Sequence, residues 1–305
     1  MNILFRTTIV LAVGISGAAA NAKDVSPQSF VAAPTRAATG SVAVRVEVAQ
    51  GEIKSNINPS NIAVATGGGL LGALAGAAVD SARAKKAEVL ITPLRNALTG
   101  FDVDALAIDT TRAETADISW INASAATFSK DTSKAGRSAY LDTIAGDKLA
   151  FITYSYDLSP DFSSIRVVEH ISIARKAGTN GAGEAIKPVD RLSDRNLEYS
   201  QSVTSVVTLV DATKDKDANA ALWAADGGRR ARAALTTAFA QMNRLAHKTL
   251  DLTPETIKAM DGKENKRIVA GGYSGRLVAG EAADITLLWA PGFVSEQVLA
   301  DKSTT

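Results

Sequence analysis

Cysteine is absent from this chain of 305 residues. Without thiols the protein has no disulfide, no cysteine nucleophile and no thiolate metal site. A lipid attached to an N-terminal cysteine is excluded for the same reason. Stability must therefore come from a hydrophobic core, which a chain of this length with 46% hydrophobic residues can form.

Histidine is also scarce, since His170 and His247 are its only occurrences. A zinc site needs three or four converging ligands, and the spacings H-x-x-x-H and H-E-x-x-H do not occur. We interpret His170, in the strand-like stretch VVEHISI, and His247, near the end of a predicted helix, as structural residues. The sequence predicts neither a metal site nor a cofactor.

No complete motif for nucleotide binding or acyl transfer occurs. In GYSGR, residues 272–276, Arg276 stands where the G-x-S-x-G motif needs glycine, which indicates a hairpin turn. Ile186 stands where G-x-G-x-x-G needs its third glycine, and GGGLLG lacks the Gly-Lys-Ser/Thr of a phosphate loop. A serine site built from distant residues stays open, as does a glycosidase-like pair of carboxylates. The carboxylates near a predicted hairpin are Asp157, Asp161, Glu169 and Glu184.

The first 22 residues, MNILFRTTIVLAVGISGAAANA, have the pattern of a secretory signal peptide. Arg6 lies near the start, an apolar run follows, and the small residues end in an A-x-A cleavage site at Ala22. We therefore predict an exported protein, periplasmic or associated with the outer membrane and not lipidated on cysteine.

A large net charge is missing as well. Removal of residues 1–22 takes away Arg6 and no acid, so 32 of the 33 basic residues remain against 32 acidic ones. A balanced chain has no global field to attract nucleic acid, so we expect no nucleic-acid partner.

The remaining chain divides into a leader, one domain and a tail. Residues 23–40 mix Pro, Ser, Thr and Ala without an apolar period and predict a flexible leader, and residues 299–305 predict a disordered tail. Between them, residues 41–298 predict a single α+β domain. SVAVRVEVA, residues 41–49, begins it with the strict alternation of a half-buried strand.

The order of elements predicts the fold class. We expect a mostly antiparallel sheet packed by a glycine-rich helix, or a bent helix pair interrupted at Pro93, and by one long amphipathic helix. The predicted elements after the first helices are strands at 104–110 and 118–128, a hairpin over 148–174, a strand at 199–210, a helix at 217–250 broken near Gly227, and short strands within 267–290.

Residues 61–80, NIAVATGGGLLGALAGAAVD, predict a helix with one smooth face. Gly68, Gly72 and Gly76 recur every fourth residue and share that face, which lets another backbone approach closely. Each glycine disfavours a helix by about 1 kcal/mol relative to alanine, so this helix needs a compensating environment. Packing on protein, a single membrane span and self-association at a membrane are the three hypotheses.

GGGLLGALAGAAVD, followed by a helix rich in Lys, Arg and Ala, resembles the glycine-zipper segments of bacterial envelope proteins. Surface antigens and periplasmic proteins without an assigned activity carry such segments. The resemblance covers about Asn61 to Leu98. It implies an envelope location and says little about mechanism, and this chain lacks the lipidated cysteine that many members carry.

Residues 227–250 contain no Asp or Glu. Helical spacing places an apolar arc, which we interpret as core, opposite a basic arc. The basic arc is a candidate contact for an anionic surface, with a solvated face as the alternative. Its members are Arg229, Arg230, Arg244 and Lys248.

These observations favour a non-enzymatic role. We predict an exported envelope protein with a structural or interaction role, membrane-associated through the glycine-zipper helix. Its partner at the glycine face would be a membrane, an envelope protein or a second copy of the chain. Two alternatives stay open: a periplasmic hydrolase using dispersed carboxylates or a serine site, and a zipper-mediated oligomeric membrane protein.

Overall fold

The computed structural model describes residues 29–56, 70–178, 185–260, 262, 267–270, 272–281, 284–289 and 292–299. The helices in these residues are α1 (Ala33–Ala37), α2 (Leu70–Ala97), α3 (Val103–Thr115), α4 (Lys134–Thr143), α5 (Lys216–Leu250) and α6 (Pro254–Met260). The strands are β1 (Val42–Val48), β2 (Lys54–Ser55), β3 (Ile121–Ser129), β4 (Lys148–Leu158), β5 (Ser164–Arg175), β6 (Tyr199–Thr208), β7 (Arg267–Ala270), β8 (Tyr273–Glu281), β9 (Asp284–Trp289) and β10 (Gly292–Val298).

All ten described strands belong to one mixed sheet. Its order is β3-β1-β4-β5-β6-β10-β9-β8-β7, and the short β2 pairs with β4 outside this path. Five of the nine pairings among these strands are antiparallel. Together with the helices, this sheet confirms the predicted α+β class.

Helices cover one face of the sheet. Helix α5 packs on β5, β6 and β10, helix α3 packs on β1, β3 and α5, and helix α2 packs on α5 and β2. The alternating valines of β1, from Val42 to Val48, point to this face and are at most 1% exposed, as the sequence predicts. The apolar arc of α5 is also buried, with Leu235, Phe239 and Met242 in the main core.

The opposite face is only partly covered, and we call it the open face. At one end a smaller core forms between Leu141 of α4 and the strand residues Leu149 and Phe151. Leu192 and Leu197, from the segment between β5 and β6, pack against it. At the other end, strands β7 to β9 pack next to Val206 and Val294.

The predicted strand at 104–110 is wrong, because these residues belong to helix α3. The Asp102 side chain accepts a hydrogen bond from the backbone N–H of Ala105, which caps the first turn. Val103, Ala107 and Thr111 are then buried at four-residue intervals along one side of a helix. The local alternation suggests a strand, but packing of this segment on β1, β3 and α5 favours a helix.

Helix α5 confirms the predicted interruption. The backbone leaves helical geometry at Ala225 and adopts positive φ at Asp226, Gly227 and Gly228 before the helix resumes. Helix α2, in contrast, is one helix that contains Pro93, and not two separate helices.

The predicted flexible leader, 23–40, differs from the structure over residues 29–40. Helix α1 lies there, Thr35 is buried, and the Thr35 hydroxyl accepts a hydrogen bond from Lys148 Nζ at 2.6 Å. Arg36 Nη2 donates to the carbonyl of Leu252 at 2.6 Å. These polar contacts attach the segment although it has no apolar period. Residues 23–28 and 300–305, in the predicted leader and tail, lie outside the described residues, as does the predicted signal peptide.

Candidate functional site

Polar side chains form one row across five neighbouring strands of the sheet, which we call the open-face row. In strand order its members are Ser129, Glu47, Thr153, His170 and Ser202, and each lies directly opposite the next. Side chains that are paired in this way project from the same face of a sheet, with Cβ atoms about 5 Å apart. The row therefore places an acid, an imidazole and hydroxyl groups on the open face.

Arg137 of helix α4 lies over this row. The Ser133 side chain caps α4 by accepting the N–H of Gly136 at 3.0 Å, so the helix starts one turn before Arg137. Arg137 Nε donates to Glu47 Oε2 at 2.8 Å, and Nη2 donates to Thr153 Oγ1 at 2.8 Å. The guanidinium carbon lies 5.2 Å from the centre of the Phe151 ring, within range of a cation–π contact.

Glu47 is held between two arginines. Its side chain is fully buried, and Oε1 lies 3.2 Å from Nε of Arg45, whose side chain is 7% exposed. Arg45 Nη2 donates to Ser129 Oγ at 2.7 Å and to the carbonyl of Asp131 at 2.8 Å. A buried charge needs such partners, because removing one would leave an uncompensated charge in the interior.

His170 is half-buried beside Ser202, with 3.0 Å between its Nδ1 and Ser202 Oγ. Burial lowers the pKa of this histidine, the positive charge of Arg137 lowers it further, and Asp194 opposes the shift. The ring is therefore neutral at pH 7, with one nitrogen as donor and the other as acceptor. It can bind polar groups or accept a proton.

The sequence predicts the side of the strand on which His170 lies, with Val168, and the register confirms it. Sequence reasoning missed Arg137, Thr153 and Ser202. The polar residues at alternate positions of β4 are the only local sequence signal for these residues. The row itself depends on the register of five strands, which local sequence does not show.

A second polar cluster is buried under the helices. Tyr154, Glu169 and Glu114 are at most 1% exposed, and Tyr154 lies directly opposite Glu169 on the neighbouring strand. The Tyr154 hydroxyl lies 2.9 Å from Thr111 Oγ1 and 3.4 Å from Glu114 Oε1. Neither carboxylate oxygen of Glu169 has a hydrogen-bond partner among the described residues.

Burial dominates the ionisation of this pair. It raises the pKa of Glu169 to about 8, and it also raises the pKa of Glu114, which the neighbouring Glu169 charge raises further. Burial raises the pKa of the Tyr154 hydroxyl above its ordinary value, and the charges of both acids raise it further. Near neutral pH the pair therefore holds protons that exposed carboxyls would have lost.

The carboxylates that a hydrolase would need are not brought together. Asp157 accepts from Arg166 Nε at 2.7 Å on the open face, whereas Glu169 lies on the helix-covered face. Asp161 accepts hydrogen bonds within its own turn, and Glu184 lies outside the described residues.

The predicted glycine face is only partly described. Gly72 and Gly76 lie within helix α2, and Gly68 lies outside the described residues. The packing of this face therefore stays a prediction. Among the helices that the structure describes, none combines the length and hydropathy needed to cross a membrane.

Two members of the predicted basic arc have carboxylate partners. Arg229 Nη2 lies 3.1 Å from Asp226 Oδ2, and Arg230 Nη1 lies 2.9 Å from Asp211 Oδ2. Both pairs are at the surface, where an ion pair contributes little stability. These partners reduce the positive charge that this part of the arc offers to an anionic surface.

The other two members of the arc lie further along α5. Arg244 is exposed, and Lys248 Nζ lies 5.5 Å from the centre of the Phe293 ring. Contact of the arc with an anionic surface stays a prediction.

The described part of the chain contains no group of three or more His, Asp or Glu side chains arranged to bind a metal ion. Comparison with protein-family models, with curated proteins and with solved structures finds no match to this chain.

Proposed function

We propose that this protein is exported to the cell envelope and has a non-enzymatic interaction role there, with helix α2 as the element that contacts an envelope protein. The pattern of the first 22 residues supports export. The observation that carries the interaction role is the environment of α2.

Helix α2 changes character along its length. From Ala77 to Lys86 no side chain is buried on any side of the helix, and we call this stretch the exposed α2 segment. After it, Ala87, Ile91 and Leu94 are at most 1% exposed and pack in the main core. Among the α2 side chains whose burial the structure describes, those from Ala87 onward therefore attach the helix to the domain.

Glycines weaken the start of this helix. The exposed α2 segment is about 15 Å long, and α2 begins at Leu70 with Gly72 and Gly76 ahead of this segment. Glycine disfavours a helix by about 1 kcal/mol, and helical stability comes mainly from packing. A partner on this part of α2 would supply the missing packing.

Cell fractionation tests both parts of the proposal. We expect the full chain to lose its first 22 residues and to fractionate with the envelope. Ala78→Glu places a charge on the exposed α2 segment, so it should release the protein from that fraction and leave its thermal unfolding unchanged. Thr99→Glu, at an exposed position beyond the end of α2, is the matched control and should stay with the envelope.

The possible failures are distinguishable. Retention in the cytoplasm with an intact N-terminus would contradict export. Release of the processed wild-type protein as a soluble monomer would contradict the interaction role. Recovery of a purified homo-oligomer that Ala78→Glu dissociates would instead favour the zipper-mediated oligomer.

A further inference from the structure

We propose that the open face binds a small oxyanion, a phosphate or carboxylate group, between Arg137 and His170. Thr153 and Ser202 form the floor of this site. The site shares no residue with helix α2, so it stands independently of the proposed function.

Arg137 has hydrogen-bonding capacity beyond its protein contacts. Its Nε and Nη2 atoms donate to Glu47 and Thr153, whereas Nη1 has no acceptor among the described residues. The side chain is 23% exposed, so solvent reaches part of it. Contacts with Glu47 and stacking on Phe151 hold the group in place, which reduces the entropy lost when an anion binds.

At the imidazole of His170, the balance of charge favours an anion. Arg45 and Glu47 are opposite charges in direct contact, so they largely neutralise each other and leave the charge of Arg137. Asp131, whose carboxylate accepts the N–H of Ser133 at 2.8 Å, adds a negative charge near Arg45 and Arg137. Burial is the main cause that lowers the pKa of His170, and of the two charges beside the ring Arg137 lowers this pKa more than Asp194 raises it.

His170 completes the arrangement with a directional donor. When the Ser202 hydroxyl donates to Nδ1, the proton of the neutral ring lies on Nε2. Thr153 lies directly opposite His170 and is bonded to Arg137, so the guanidinium and the imidazole flank the same strand position. An oxyanion there can accept from Nη1 of Arg137 and from Nε2 of His170.

This geometry links binding to protons. A bound negative charge stabilises the imidazolium form of His170, so it raises the pKa of that residue. By linkage, affinity should increase as the pH falls through the pKa of His170. The charged groups that act on the ring are Arg137 from α4 and Asp194 from the segment after β5. Glu47 lies one strand further away, on the other side of Thr153.

Nuclear magnetic resonance of the histidines tests the site, because His170 and His247 are the only two. Inorganic phosphate and acetate are titrated separately into the mature full chain, with sodium chloride as the ionic-strength control. We expect one of these probes to move the His170 resonances in a saturable way and to raise its pKa. The His247 resonances should respond no more than they do to chloride.

Variants assign the effect to the site. Arg137→Gln removes the cation and leaves Glu47 paired with Arg45, so it should weaken binding at least about tenfold. Arg112→Gln, at an exposed position of α3, is the matched control and should bind as the wild type does. Circular dichroism and the His247 resonances report whether each variant is folded.

Two results would overturn the proposal. One is that neither probe moves the His170 resonances beyond the chloride control. The other is that a folded Arg137→Gln protein binds as tightly as the wild type. If Arg137→Gln does not fold, Ser202→Ala replaces it, because this substitution releases the ring and should change the affinity and its pH dependence together.

Discussion

Single residues account for the most unusual chemistry in this protein, the burial of two carboxyl groups next to each other. Glu114 and Glu169 are at most 1% exposed, and desolvation favours their neutral forms. Most buried carboxylates have a cation beside them, as Glu47 has on the open face. The buried acid on the open face is therefore paired with cations, whereas the two on the helix-covered face are favoured in their neutral forms.

The buried pair predicts that alkaline pH destabilises the fold. The pKa of Glu169 is about 8 in the folded state, against an ordinary value of 4.5. Its contribution to stability is therefore fully present below about pH 4.5 and is lost as the pH rises through about 8. Each pH unit in this window should lower the free energy of unfolding by up to about 1.4 kcal/mol.

Urea unfolding at pH 5 and pH 8.5 measures this dependence. Glu169→Gln keeps the shape and stays neutral, so its unfolding free energy should fall less over this range than that of the wild type. Asp109→Asn, at an exposed position of α3, is the control and should keep the wild-type dependence. Equal pH dependence in Glu169→Gln and the wild type would contradict the role of Glu169.

At the scale of the elements, hydrophobic periodicity predicts correctly those strands and helices that bury one side in the core. The valine alternation of β1 and the apolar arc of α5 are found as expected, because each has one side in the main core. Helix α3 was not predictable from alternation, because its buried residues include Thr111 and Glu114, which a hydrophobic pattern does not count. Hydrophobic periodicity therefore fails to predict an element, such as α3, whose buried side includes polar residues.

The interruption in α5 gives a prediction about two adjacent glycines. Both have positive φ, but a Cβ at Gly228 would lie 3.1 Å from the Cβ of Ala97, whereas one at Gly227 would meet open space. Gly227→Ala should lower the free energy of unfolding by about 1 to 2 kcal/mol through backbone strain alone. Gly228→Ala should lower it by about 1 kcal/mol more, because it also pushes α2 from α5.

Urea unfolding of the two variants under one condition checks this difference, with each serving as the control for the other. Equal destabilisation would show that the contact with Ala97 does not limit the packing of α2 on α5.

At the scale of the whole molecule, the candidate site exists only because the sheet assembles in this order. Glu47, Thr153, His170 and Ser202 come from four separate strands, and the pairing of β1 with β4 is parallel. Parallel partners are not joined by a short turn, so local sequence contains no signal for their register. The row was therefore not predictable, although each of its strands was.

The last described strand, β10, joins two parts of this sheet. It lies between β6 and β9, parallel to one and antiparallel to the other, and Phe293 and Val294 are fully buried. A Cβ at Gly292 would collide with the carbonyl oxygen of Ser202, so β6 and β10 approach closely where the open-face row ends. Strands β7 to β9 connect to the rest of the sheet through β10.

Removal of β10 should therefore destabilise the whole molecule and not only its end. A chain that stops after residue 291 loses the Phe293 side chain from the core, which alone should lower the free energy of unfolding by about 3 to 5 kcal/mol. It also leaves β6 as an open edge, which promotes aggregation. A chain that stops at Leu299 keeps β10 and the bond from the Leu299 N–H to Thr208, so it is the matched control. Urea unfolding and light scattering should separate the two chains, and equal stability would contradict the role of β10 as the connection between the two parts of the sheet.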